Sequence, residues 1–116
     1  MAYEADERTN YQYVVVLVDE AKAGLSRDEL VRFLHSENVL ARRYFAPGVQ
    51  RMPVYRERYA GVSLPNTERL CEQVMCLPTG SAVAATEIEL VSQLLALALG
   101  NAREVRSALA LRAPHG

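Results

Sequence analysis

Residues 10–19, NYQYVVVLVD, set an unbroken apolar run between tyrosines and an aspartate, and their reading decides the fold. A short run of β-branched and aromatic residues bounded by polar ones makes a strand. Its centre does not alternate, which predicts a strand covered on both faces and central in its sheet. Just beyond it, AKAGL turns the chain at Gly24. Ser26 followed three positions later by Glu29 has the spacing of a capping box, in which each side chain satisfies a free backbone N–H at a helix start. The helix so opened is expected to reach about Asn38. Leu30, Val31, Leu34 and the flanking Val39 face the sheet on this reading, and Arg27, Asp28, Arg32 and Glu37 face solvent.

VLARRYFA, residues 39–46, reads as a second strand, stopped by Pro47 and Gly48. From Pro47 to Pro65 the chain loses period and gathers proline and glycine, which predicts a long ordered loop. Asn66 is positioned to cap a short helix, TERLCEQ, and VMCLP has the look of a brief strand. Thr86 with Glu89 repeats the capping-box spacing ahead of TEIELVSQLLALAL, which Gly100 can close; NAREVRSALALR adds one more helical segment and APHG is expected to fray. This mixture of periods implies one α+β domain over residues 1–116, an α/β small domain with a small, mostly antiparallel sheet covered by two to three helices. In the strongest helix, Ile88, Val91, Leu95 and Ala98 form one apolar stripe, and Leu90, Leu94 and Leu97 form another beside it. The second stripe is either part of a broad core face or a surface that expects a partner, a homodimer being the simplest case.

Composition narrows the function classes. The 116 residues are 50% hydrophobic and 23% charged with a formal charge of −1, as in a folded globular domain. No apolar run approaches the roughly 18 residues of a membrane span. The acidic start MAYEADERTN is unlike a secretory signal, so a cytoplasmic location is expected. A pI near 6.1 argues against nucleic-acid binding. Cys71 and Cys76 match no zinc spacing and read as reduced core residues. No phosphate loop or metal-ligand motif occurs, and neither His35 nor His115 has an evident catalytic partner. The sole lysine, Lys22, stands beside Asp19 and Glu20, whose charges favour its protonated form, the opposite of what an imine-forming lysine needs. No catalytic or metal-ligating residue is assigned.

The remaining signal is RRYFAPGVQRMPVYRER, residues 42–58, where five arginines surround Tyr44, Phe45 and Tyr55. A guanidinium offers a planar fork of donors suited to phosphate, and a neighbouring ring can stack on a base or a sugar face. The combination suits a nucleotide. The alternative is an ordinary strand with Arg42 and Tyr44 on one face, Arg43 and Phe45 on the other, and the charges paired to nearby glutamates.

The succession NYQYVVVLVD, GLSRDELVRFLHSENVLARRYFAPGVQRMPVYR and LPNTERLCEQVMCLPTGSAV, within a match from about Thr9 to Gly100, resembles the C-terminal small domain of the DegT/DnrJ/EryC1/StrS aminotransferases. These pyridoxal-phosphate enzymes aminate keto-sugars carried on a nucleoside diphosphate. The resemblance implies an α/β unit packed on a much larger domain, with the start of the first strand and the Arg/Tyr loop shaping the sugar-nucleotide cleft. On that basis the candidate substrate-binding residues are Asn10, Gln12, Arg42, Arg43, Tyr44, Gln50, Arg51 and Tyr55. Many relatives have histidine where this chain has Gln50, which can hydrogen-bond but takes up no proton near neutral pH.

In the resembled enzymes the large domain carries the aldimine lysine, the acidic partner of the pyridine nitrogen and most of the phosphate cup. None of these has a counterpart here, so the chain alone is expected to bind no cofactor and to catalyse nothing. Three readings follow. The chain is a small domain whose partner is a separate large aminotransferase domain, in a split or truncated enzyme; or an autonomous module for a nucleotide sugar or similar phosphorylated ligand; or an oligomerisation or interaction protein.

Overall fold

Strand β1, Val14–Leu17, leads to Asp19, which caps a single helical turn, α1 (Glu20–Ala23), by accepting from the Lys22 N–H; the computed structural model describes Asp6, Arg8 and residues 10–112. Gly24 closes the turn in the left-handed region, φ 71°, and a Cβ there would stand 3.0 Å from that of Ala102. Glycine is required twice over, for the conformation and for the close approach.

The capping box forms as its spacing demands. Ser26 Oγ accepts from Glu29 N at 3.2 Å, the Glu29 carboxylate accepts from Ser26 N at 2.8 Å, and helix α2 runs Arg27–Ser36. It stops short of Asn38, which takes a left-handed φ of 60°. Leu30, Val31, Leu34 and Val39 are buried as expected.

Arg27 does not face solvent: it is 5% exposed. Its Nη1 donates to the Val74 carbonyl at 2.6 Å, Nη2 to the Cys71 carbonyl at 2.7 Å, and Nε to Asp28 at 2.6 Å. Those carbonyls lie at the end of helix α3 (Pro65–Gln73) and the start of strand β3 (Val74–Leu77). A cation at a helix C-terminus meets carbonyls without helical partners and the negative end of the dipole, which is what makes its burial tolerable. Position 27 lies in phase with 30, 31 and 34, so the helical period had it facing inward; its charge alone pointed outward.

The sheet is antiparallel, in the order β1-β3-β2, with β2 reduced to Arg42–Arg43. Two expectations are corrected here. The expected long second strand ends early because Phe45 turns into the left-handed region at φ 52°. The central strand is β3, not β1: Val74, Met75 and Cys76 are buried, whereas β1 is an edge and its Leu17 is 59% exposed. The apolar run of β1 is thus largely open to solvent, with Val14, Val15 and Leu17 all exposed.

The remaining helices also start differently from the capping expectations. Helix α3 begins at Pro65 after Leu64, Asn66 having no capping role; proline suits the first helical position because it has no N–H to leave unpaired. Helix α4, Ala85–Gly100, opens with Glu87 accepting from Ala84 N at 3.0 Å, so the Thr86–Glu89 spacing is not the one used. Helix α5 covers Ala102–Leu111, and the expected fraying of residues 113–116 lies outside the described residues. The stretch 47–65 is a 3₁₀ turn, Val49–Arg51, followed by consecutive hydrogen-bonded turns between Met52 and Val62.

The result is the expected α+β architecture, a three-stranded antiparallel sheet with α2, α4 and α5 building the core on one side. Leu25, Leu34 and Met75 are its fully buried centre, and Val91, Leu94 and Leu95 of α4 pack against it. The Ile88 end of the predicted core stripe is exposed. Helix α5 is held to α2 by polar clamps: Arg32 Nη2 donates to the Leu109 carbonyl at 2.8 Å, and Arg106 donates to both Glu29 oxygens at 2.7 and 3.0 Å and to the Gly24 carbonyl at 3.0 Å.

Two predictions follow from this geometry. Arg27→Ala leaves the Cys71 and Val74 carbonyls buried without their donor, and urea unfolding should show a loss of about 3 kcal/mol. The hydrogen bond from Arg106 lowers the Glu29 carboxyl from 4.5 to about 2. The ionised form is thus favoured by folding, and its contribution is complete above pH 4.5 and lost as pH falls towards 2. Circular dichroism during acid titration should show a shallower stability loss across that window in Arg106→Ala than in the parent chain.

Candidate functional site

Strand register assigns each side chain to a face. Val16, Met75 and Arg43 share one face with Val14 and Leu77; Val15, Cys76 and Arg42 share the other with Leu17 and Val74. Val16, Met75 and Leu77 belong to the core cluster, so the first face is the helix-covered one. On the second face Val15, Leu17 and Arg42 are exposed, while Val74 and Cys76 are buried. Continuing the alternation sets Tyr13 and Tyr44 on the second face as well, and their rings lie 5.4 Å apart. Tyr44 also meets Phe45 at 4.0 Å. An aromatic group and one arginine thus stand together on the sheet face where Val15 and Leu17 are exposed.

The eight candidate residues fall into separate places. Arg42 is exposed on the open face beside Tyr44, and it makes no ion pair among the described residues. Arg43 points to the helix side, where its Nε donates to Asp28 at 2.7 Å, the carboxylate that Arg27 also holds. Partial burial raises the Asp28 pKa, but the hydrogen bonds from Arg27 and Arg43 outweigh that and keep it below the ordinary value. Arg43 thus has the paired character of the ordinary-strand reading. Asn10 and Gln12 form an exposed local turn before β1, with Gln12 N donating to Asn10 Oδ1 at 3.1 Å and Thr79 Oγ1 donating to the Gln12 carbonyl at 2.8 Å.

Gln50, Arg51 and Tyr55 lie on the loop after Pro47. Arg51 Nη2 donates to Glu68 at 2.7 Å, and that hydrogen bond holds the Glu68 carboxyl below its ordinary range. Gln50 is 8% exposed, and its Nε2 has no hydrogen-bond partner. A Cβ on Gly48 would stand 2.7 Å from Gln50 Oε1, so glycine at 48 lets the glutamine fold back under the loop. Gln50 lies at the junction of two hollows. One, of about 320 Å³, includes Arg27, Arg51, Glu68 and Cys71 in its walls; the other, of about 480 Å³, is walled by Tyr55, Tyr59, Val62 and Leu64. Tyr55 and Tyr59 face each other at 6.2 Å.

Three residues of this region escaped sequence reasoning: Tyr13, Glu68 and Tyr59. Tyr13 was accessible through strand alternation with Val15 and Leu17, whereas the partnerships of Glu68 and Tyr59 depend on loop geometry with no local signal. Outside the site, His35 Nε2 bonds the Ala41 carbonyl at 2.6 Å, a structural role. Cys76 is buried and Cys71 half-buried, both free, with Cys71 Sγ donating to the Phe45 carbonyl at 3.0 Å.

Comparison with known proteins identifies the family. The model of the DegT/DnrJ/EryC1/StrS aminotransferase family matches residues 1–96, and the chain belongs to that family. It is similar to dTDP-4-amino-4,6-dideoxy-D-glucose transaminases: 35% identical over 72 residues to that of Escherichia coli, covering 60% of this chain and 19% of the relative. To that of Shigella dysenteriae it is 32% identical over 98 residues, covering 84% of this chain and 24% of the relative. A crystal structure of DesI in the presence of its TDP-sugar product superposes with a TM-score of 0.74 at 40% identity, over 85% of this chain and 25% of DesI. The chain therefore spans about a quarter or less of these relatives.

The unpartnered Gln50 amide yields a stability prediction. Gln50→Met removes a buried donor while keeping the volume, and chemical denaturation should show a gain of about 1 kcal/mol. A loss of similar size would show that the amide is satisfied by a bound water.

Proposed function

We propose that this chain forms one wall of a nucleotide-sugar aminotransferase site, inactive by itself, with the open sheet face turned towards the ligand and the body that completes the cleft. The observation that carries this reading is the composition of that face: Arg42 without an ion pair among the described residues, next to the Tyr13–Tyr44–Phe45 group, on a sheet whose other side is filled by helices. Arg42 can donate to a phosphate oxygen, and the neighbouring rings offer a stacking surface for a base or a sugar. Gln50 has an amide N–H left to donate. The names of the relatives favour a thymidine-linked amino sugar as the ligand class.

The described residues do not fit pyridoxal phosphate. The sole lysine, Lys22, has a side chain that is 86% exposed and ion-paired with Asp19 at 3.3 Å on α1, not held in a recess where an imine could be sheltered. Any transamination requires a further body, from the same gene or a separate one. No helix among the described residues is long and apolar enough to cross a membrane.

A titration of isotope-labelled chain with a thymidine diphosphate sugar tests the reading. Amide shifts should appear at Tyr13, Arg42 and Tyr44 with a dissociation constant of about 1 mM, since one wall leaves most of the ligand in water. Arg42→Ala should abolish them and Arg43→Ala should leave them in place, because Arg43 is committed to Asp28. No shift at several millimolar ligand, or equal sensitivity to the two substitutions, would refute the proposal.

A further inference from the structure

Phe45 is a bulky residue in a conformation suited to glycine. Its φ of 52° lies in the left-handed region, where a Cβ crowds the neighbouring carbonyl, and such residues persist only where surrounding contacts fix them. Burial does not fix this one: Phe45 is 67% exposed, and its ring meets that of Tyr44 at 4.0 Å. Its main chain is held by a residue far along the sequence. Cys71 Sγ donates to the Phe45 carbonyl at 3.0 Å, which fixes the peptide plane that follows the bend. The sulfur stands on a firm base, because Cys71 lies in the last turn of α3 and its own carbonyl accepts from Arg27 Nη2 at 2.7 Å. One residue thus connects the buried arginine, through its main chain, to the bend that ends β2, through its side chain.

We propose that Cys71 is a positioning residue for the open sheet face. Its thiol fixes the Phe45 carbonyl, and with it the sequence of rings in which Phe45 lies against Tyr44 and Tyr44 against Tyr13, beside Arg42. This rests on the reading of that face as a nucleotide-sugar wall and adds what keeps the wall in shape. Exposed rings that must be ordered when a ligand arrives lose affinity through that ordering, and rings held beforehand do not. The hydrogen bond to Phe45 therefore acts on binding without Cys71 touching the ligand.

Nuclear magnetic resonance of the whole labelled chain, first without ligand, tests the proposal. The Tyr44 and Phe45 ring protons should be displaced by each other's ring current, and Tyr13 and Tyr44 should show a mutual Overhauser contact. Cys71→Ala removes the donor and leaves the backbone carbonyl that Arg27 holds. It should move the Phe45 and Tyr44 rings towards free-chain shifts and weaken the Tyr13 contact, with core signals such as Leu34 and Met75 unchanged. Cys71→Ser supplies a hydroxyl donor at the same place and should restore the parent pattern. On titration with a thymidine diphosphate sugar, Cys71→Ala should raise the dissociation constant about fivefold and Cys71→Ser less than about twofold. Rings unmoved in Cys71→Ala, rings displaced equally in both variants, or displaced rings with unchanged affinity would overturn the proposal. The rings are read without ligand, so a parent chain that binds nothing refutes the nucleotide-sugar reading, while the hold of Cys71 on Phe45 is still decided by the ring shifts.

Discussion

The fold depends on a buried cation. Arg27 leaves the first turn of α2 and ends among the carbonyls where α3 gives way to β3, so one side chain joins the helical layer, the long loop's exit and the central strand. The same neighbourhood holds the sheet together, because Val18 N bonds the Gln73 carbonyl and Tyr44 N approaches the Val74 carbonyl at 3.5 Å. An aliphatic side chain of equal volume would fill the space and leave polar backbone unsatisfied. The guanidinium does both tasks because its donors point in three directions from one plane.

Asp28 extends this hub to the surface by accepting from both Arg27 and Arg43. The two adjacent arginines of β2 thus have opposite fates decided by strand alternation alone. Arg43 is drawn to the helix side and neutralised, and Arg42 is left on the open face. The loop that follows adds a second polar region, where Arg51 is held by Glu68 and Gln50 lies beneath Gly48. The arginine-rich stretch is therefore two regions of differing chemistry, one open and aromatic, the other recessed and internally paired.

Much of this was legible locally. Ser26 and Glu29 mark a helix start because the capping bonds span three residues, and the stripe of Leu30, Val31 and Leu34 follows from the helical period. What depended on distant partners was not legible. The central place of β3 over β1 depends on which strand finds neighbours on both edges, and VVVL and VMCL look alike to any local rule. Arg27 is buried because helical phase outweighs charge at that position, and the pairing of Arg51 with Glu68 spans a turn-rich loop. The family resemblance groups Arg43 with Arg42, which the strand register separates.

Edge position gives β1 a significance of another kind. Its backbone N–H and C=O groups on the side away from β3 have no strand beside them among the described residues, and its side chains are valines and a leucine with no charged residue among them. Natural edges are usually shielded by lysine, proline, a bulge or a covering segment, and β1 has none of the first three. Left bare, such a strand is a template for stacking one chain on the next, and quality-control proteases and chaperones engage surfaces of this type. Any segment or partner laid along that edge would thus act as a guard on solubility.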